Sequence, residues 1–146
     1  MKVFPTMQQA LREANKYDLT IIDGPARASH DTLEIAQAAD LVIQPTGPGN
    51  DDCMPAVKEF HALVEAGVKK NKLVFVINRA ATLSEAEAAR VYLTKAGYQV
   101  LESHLSEKAS YRQAQNQGLA ITEVIYISLK NQAQSLIKEI IKKVNQ

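Results

Sequence analysis

Apolar positions along the chain alternate between two spacings, and the switches mark its elements. Pro5 suits the first position of a helix running through Gln8, Leu11 and Ala14. Leu19-Thr20-Ile21-Ile22 is a short apolar run stopped by Asp23-Gly24-Pro25, the pattern of a buried strand. Ser29 or Asp31 then offers a cap for a helix with Leu33, Ile35, Ala36 and Ala39 among its apolar positions. Leu41-Val42-Ile43 predicts a second buried strand, ended by a loop over Pro45-Thr46-Gly47-Pro48-Gly49-Asn50. Asp51 and Asp52 lead into a helix with Val57, Phe60, Leu63 and Val64 on one face.

Leu73-Val74-Phe75-Val76-Ile77 is the clearest strand, rich in β-branched residues and apolar on both faces. Ser84 and Glu87 have capping-box spacing and predict a helix that ends near Gly97. Gln99-Val100-Leu101 predicts a fourth strand, extending towards Leu105. Two more helices follow, from Glu107 to near Gly118 and from Ser128 to Val144.

Short apolar strands separated by helices are the signature of βαβ units. They predict one α/β domain over residues 1–146, three-layered, with a mostly parallel sheet and helices on both faces. Ligands of such sheets gather at the carboxyl ends of the strands. That singles out Asp23 to Arg27, Gln44 to Asp52, Asn78 to Thr82 and Ser103 to Lys108.

Composition narrows the picture mainly by exclusion. Hydrophobic residues make up 46% and charged residues 23%, and the formal charge is +1, so no global field draws in nucleic acid or anionic membrane. The single cysteine, Cys53, excludes an internal disulfide and fits a reducing, cytoplasmic setting. Met1-Lys2-Val3-Phe4 runs into Pro5 without the apolar stretch of a secretory leader, and no run nears the roughly 20 residues of a membrane span.

The strongest local chemistry is Asp23, a carboxylate at the tip of a strand. Such a group either orients the water shell of a nucleotide-bound magnesium ion or bonds the backbone of its own turn. Asn78 has the same two readings, ligand contact or loop bond. Arg27 and Arg79 lie on site-facing loops, where they meet phosphate or stay solvated. His30, His61 and His104 show no metal-ligand spacing among themselves or with Cys53. Cys53 reads as a packed thiol.

Four segments in order resemble the ParA/MinD family of deviant-Walker P-loop ATPases. YDLTIIDGPA is similar to its Walker B segment, and AADLVIQPTGPGNDD to its next strand and proline-containing loop. LVFVINRA resembles the strand ending in the asparagine that reads adenine, and SEKASYRQAQNQGLAITE the late segment flanking the base. The resemblance implies a partial P-loop NTPase fold, with Asp23 serving magnesium and catalysis. Asn78, Arg79 and Ser106 would lie at the nucleotide. It implies ATP and Mg2+ as cofactors of the intact protein, which would partition plasmid or chromosomal DNA. Its partners would be non-specific DNA, a partition adaptor protein and a second copy of itself.

Two departures matter. No glycine opens a Gly-x-x-x-x-Gly-Lys-[Ser/Thr] loop, and Pro48 removes an N–H from the Gly47–Asn50 turn. The chain is therefore expected to be the carboxy-terminal portion of such an ATPase and not to hydrolyse ATP. Ser106 stands where many members carry proline. A nucleotide-free interaction module on the same scaffold is the rival reading. A receiver-like domain is disfavoured, because Asp23 has no acidic neighbour on its strand.

The last helix carries an apolar stripe from Leu129 to Val144 flanked by Lys130, Lys138, Lys142 and Lys143. Packing on the sheet is the expected use of that stripe, rather than membrane binding. Lys69, Lys70 and Lys72 form the other basic cluster, read as a solvated face. Losing the strand that carries the phosphate loop would leave an open sheet edge, so an oligomer or a rearranged sheet is expected.

Overall fold

The structure, a computed structural model, describes residues 2–24 and 30–146, except for the side chains of His30 and Asp31. The anticipated cap Ser29, the side chain of Asp31, and Pro25, Ala26 and Arg27 beyond Asp23 lie outside the described residues.

Among the described residues the chain forms one parallel sheet of three strands, β1 (Val42–Thr46), β2 (Leu73–Ile77) and β3 (Gln99–Val100), in the order β1-β2-β3. Val42 pairs with Leu73, and Val74 with Gln99. Helix α1 spans Met7–Ala14, α2 His30–Ala38, α3 Asn50–Glu65, α4 Leu83–Lys95, α5 Ala109–Asn116 and α6 Ile127–Val144. The α/β class and the helices on both faces agree with the sequence.

β2 is central because it can be buried on both sides. All five of its residues are buried. Leu73, Phe75 and Ile77 meet Phe60 and Leu63 of α3 and Ala86, Ala89 and Leu93 of α4, while Val74 and Val76 meet Leu136 and Ile140 of α6. Phe60 stacks on Phe75 with centroids 4.2 Å apart, and the ring of Tyr98 stands edge-on to both. Aromatic pairs in this geometry add to area burial. A third cluster joins Tyr111 and Ala114 of α5 to Ala133 of α6.

The first expected strand is absent. Leu19-Thr20-Ile21-Ile22 has no ladder partner, and Leu19 and Ile21 are 59% and 87% exposed. A run of four residues cannot hold strand geometry without a neighbour to satisfy its backbone. Among the described residues the sheet therefore has three strands instead of four, with β1 at an edge. Its burial records this, since only Thr46 of β1 is buried whereas β2 is buried throughout.

Several boundaries moved for local reasons. β1 continues through Pro45, where the sequence pattern predicts loop. The Thr46 carbonyl accepts the Asn78 N–H at 2.8 Å, so by alternation Pro45 turns its missing donor to the open edge, where proline is tolerated. Pro5 precedes α1 rather than opening it; the Thr6 hydroxyl caps the helix by accepting the Gln9 N–H. The cap of α4 is Thr82, two residues earlier than Ser84, with Glu85 reaching back one residue beyond the cap. Thr82 accepts the Glu85 N–H at 3.2 Å and the Glu85 carboxylate accepts the Ala81 N–H at 3.0 Å. β3 is only two residues long, although the chain beyond keeps contact with β2: Leu101 and Leu105 donate to the carbonyls of Phe75 and Ile77.

Half of the α6 stripe does what core packing requires. Ala133 and Leu136 are buried and Ile140 packs beneath the sheet, but Ile137, Ile141 and Val144 stay exposed. No helix among the described residues is long and apolar enough to cross a membrane.

Candidate functional site

The carboxyl ends of the three strands converge, as the parallel order demands. After β1 the chain turns through Gly47-Pro48-Gly49 into α3. The Gly47 carbonyl accepts the Cys53 thiol at 3.2 Å, and the Thr46 hydroxyl donates to the same carbonyl at 3.1 Å. The Asp52 carboxylate sits so close to Gly47 that a Cβ there would lie 2.0 Å from its oxygen. The loop is thus closed over its own backbone. Asp51 and Asp52 also place negative charge in the first turn of α3, which opposes an anion at that helix end. This loop does not fit a phosphate cradle.

Cys53 is buried, as a packed thiol should be. Burial pushes its pKa up. The Thr46 hydrogen bond works the other way, and the Asp52 charge adds to the rise. The helix dipole therefore leaves no activated nucleophile here.

Asn78 and Arg79 follow β2. The Asn78 amide is tied to the Thr46 carbonyl, and its side-chain oxygen accepts the Arg79 N–H at 2.9 Å. That bond holds Arg79 in the left-handed region, at φ 57°, where a non-glycine residue is strained. Strain of this kind collects at ligand-binding turns. The Arg79 side chain is exposed, and the Asn78 side chain is half-buried.

Ser106 reaches the same edge through a parallel bridge to Ala80. Its hydroxyl accepts from the Gln132 amide at 3.0 Å, and its own N–H donates to the Gln132 oxygen at 3.2 Å. The Tyr111 hydroxyl lies 2.7 Å from the Leu129 carbonyl and 3.1 Å from the same Gln132 oxygen. Burial raises the pKa of Tyr111. Gln132, 26 residues beyond Ser106, was invisible in the sequence because only the packing of α6 brings it there.

The structure brings Asn78, Arg79 and Ser106 to one edge. Asp23 is exposed at the end of the unpaired 19–24 segment, and no bond among the described residues ties it to the other three. Among the described residues no group of three His, Cys, Asp or Glu side chains could hold a metal ion. A carboxylate such as Asp23 suits a magnesium water shell, but the residues present supply no phosphate-binding half.

The remaining candidates are used structurally. His61 and the Tyr98 hydroxyl are 2.7 Å apart, and burial raises the pKa of Tyr98, with the Glu65 charge adding to it. Lys70 sits over the Tyr98 ring at 4.7 Å, and Lys72 donates to the carbonyls of Ala39 and Gln37. Two of the three clustered lysines thus have partners within the fold. A depression of about 270 Å³ lies between β3, the residues just after it and α6, lined by Gln99, Val100, Leu101, Glu102, Glu139 and Lys142 among others. It is open to solvent and shares none of the candidate residues. No protein-family model and no curated protein matches this sequence.

Proposed function

We propose that this chain is the carboxy-terminal portion of a ParA-like partitioning ATPase, which in its intact form uses ATP and Mg2+ to segregate DNA in the cytoplasm. The observation that carries the reading is the convergence of three motif-bearing loops at the carboxyl ends of parallel strands. The Thr46–Asn78 bond and the Ala80–Ser106 bridge hold that edge together.

In this reading Asn78 and Ser106 line the base side of the site and Arg79 reaches towards phosphate. Asp23 orients the magnesium water shell. Bound ATP would supply the phosphoanhydride, but the residues that cradle it are absent, so no hydrolytic step is assigned to this chain. A second copy, DNA and an adaptor protein are the partners in the proposed cycle.

One observation favours a second reading, a nucleotide-free interaction module. The Ser106 hydroxyl and the Gly47 carbonyl are already bonded within the fold. Calorimetric titration with Mg·ATP separates the two. Saturable binding that weakens in Asn78→Ala supports the nucleotide site, whereas a folded chain that takes up no ATP supports the module.

A further inference from the structure

The sheet ends abruptly at β1, and the chain carries a segment suited to continuing it. Thr46 turns its carbonyl to β2, so Val42 and Gln44 share that edge while Leu41, Ile43 and Pro45 turn their backbone groups outward. No backbone bond from residues 18–24 reaches those groups. Pro45 has no N–H, so a further strand finds both donors and acceptors only over Leu41 to Gln44. That is a four-residue slot.

Leu19-Thr20-Ile21-Ile22 is a four-residue run of strand composition whose backbone likewise has no partner among the described residues. It is held from one side only. The Thr20 hydroxyl donates to the Ala14 carbonyl at 3.2 Å, Ile22 is half-buried, and Gly24 lies beside Ile35. Leu19 and Ile21 are therefore left facing outward. Leu41 and Ile43 pack, only partly buried, on the α6 side of the sheet. The other irregular apolar stretch near the amino end, Val3-Phe4, is too short. Pro5 follows it, and the Lys2 side chain is bound to Glu13 and Tyr17.

We propose that two copies of this chain dimerise by reciprocal exchange, the Leu19–Ile22 segment of each adding a strand to the β1 edge of the other. Each exchange satisfies two unpaired backbones at once. It sets Leu19 and Ile21 beside the partner's Leu41 and Ile43, extending the apolar layer over α6. A second copy is the occupant because it supplies the matching segment in equal number, and exchange of a tethered element is a low-cost route to a symmetric dimer. This interface is independent of nucleotide.

Sedimentation equilibrium without ATP tests it. The full chain is expected at twice its 16.1 kDa mass. Ile21→Pro is expected to reduce it to a monomer with an unchanged circular dichroism spectrum, because residue 21 makes no backbone bond to any of the described residues. Ile21→Lys should weaken the dimer in the same direction. In hydrogen exchange the Ile43 amide should be protected in the wild-type dimer and exposed in both variants, and the Ile21 amide protected in the wild-type dimer and exposed in Ile21→Lys. A wild-type chain that stays monomeric up to its solubility limit overturns the proposal. So does a dimer that survives Ile21→Pro, which would mean that β1 edges pair directly or that another face associates.

Discussion

Arg90 and Glu139 grip one short stretch of backbone from opposite faces of the sheet. The Arg90 guanidinium, on α4, donates to the carbonyls of Leu101 and Glu102, the latter at 2.8 Å. The Glu139 carboxylate, on α6, accepts the N–H groups of Glu102 and Ser103, each at 2.8 Å. The chain leaving β3 is fastened between the two helix layers, and the loop bearing Ser106 starts from that fastening. β3 has only two ladder residues, so side chains replace the backbone bonds that a longer strand would have made.

Glu139 makes this clamp sensitive to acid. Burial works against its charge, but the N–H groups of Ser103 and Glu102, the Ser103 hydroxyl and the nearby Arg90 outweigh burial and hold its pKa below the usual carboxylate value. A depressed folded-state pKa contributes stability that is complete above the unfolded value and is lost as pH falls through the folded one. Glu139→Gln should cost about 1–3 kcal/mol at neutral pH, the worth of hydrogen bonds to a charged group. It should also flatten the fall of melting temperature towards about pH 3. Calorimetric scans of both proteins across that range check it; an equally steep fall in the variant would remove Glu139 from the account.

The start of α4 offers two overlapping Ser/Thr-x-x-Glu spacings, and the structure caps the helix with the earlier, at Thr82. Thr82→Ala should cost about 1 kcal/mol, while Ser84→Ala should change stability by only a few tenths. Urea unfolding midpoints of the two variants measure the difference. The reverse order would mean that the helix starts two residues later.

Arg79 combines strain with exposure. Arg79→Gly relieves the left-handed conformation but adds freedom to the unfolded chain, so stability should rise by at most about 1 kcal/mol. If Arg79 meets phosphate, as proposed, the same variant loses Mg·ATP affinity. Stability and affinity moving together, both downward, would instead mark the residue as structural.

Cys53 should be inert in the native protein. With its pKa raised by burial and its thiol bonded to the Gly47 carbonyl, it should resist a thiol reagent at neutral pH and react only on unfolding. Time courses with and without denaturant measure this, and rapid labelling of the folded chain would show the β1–α3 loop opening.

Much of the fold was legible because burial writes a period into the chain. Leu73–Ile77 was read to the residue, since a strand buried on both faces has no polar position to blur its ends. The ends at Gly97 and Gly118 were legible for another reason: both adopt positive φ, which glycine allows. Leu19–Ile22 shows the converse. It has the same composition as a buried strand, but a strand exists only if another lies beside it, and no local pattern states which neighbours are present. Ser106 and Asn78 were visible as strand-end residues; their partners Gln132 and Thr46 were not, because those contacts join residues far apart in sequence or belong to the backbone.

The sequence by itself determined the α/β alternation, the burial of β2 on both faces, the helix stops and the absence of a phosphate loop, all set by side-chain period or residue type. Tertiary structure alone decided that three strands pair rather than four and that Pro45 lies within an edge strand. It also decided that Arg90 and Glu139 bond the same short stretch, Leu101 to Ser103, and that no bond among the described residues ties Asp23 to Asn78, Arg79 or Ser106. Period and residue type act along the chain, whereas pairing and packing depend on which surfaces remain to be covered once the chain has folded.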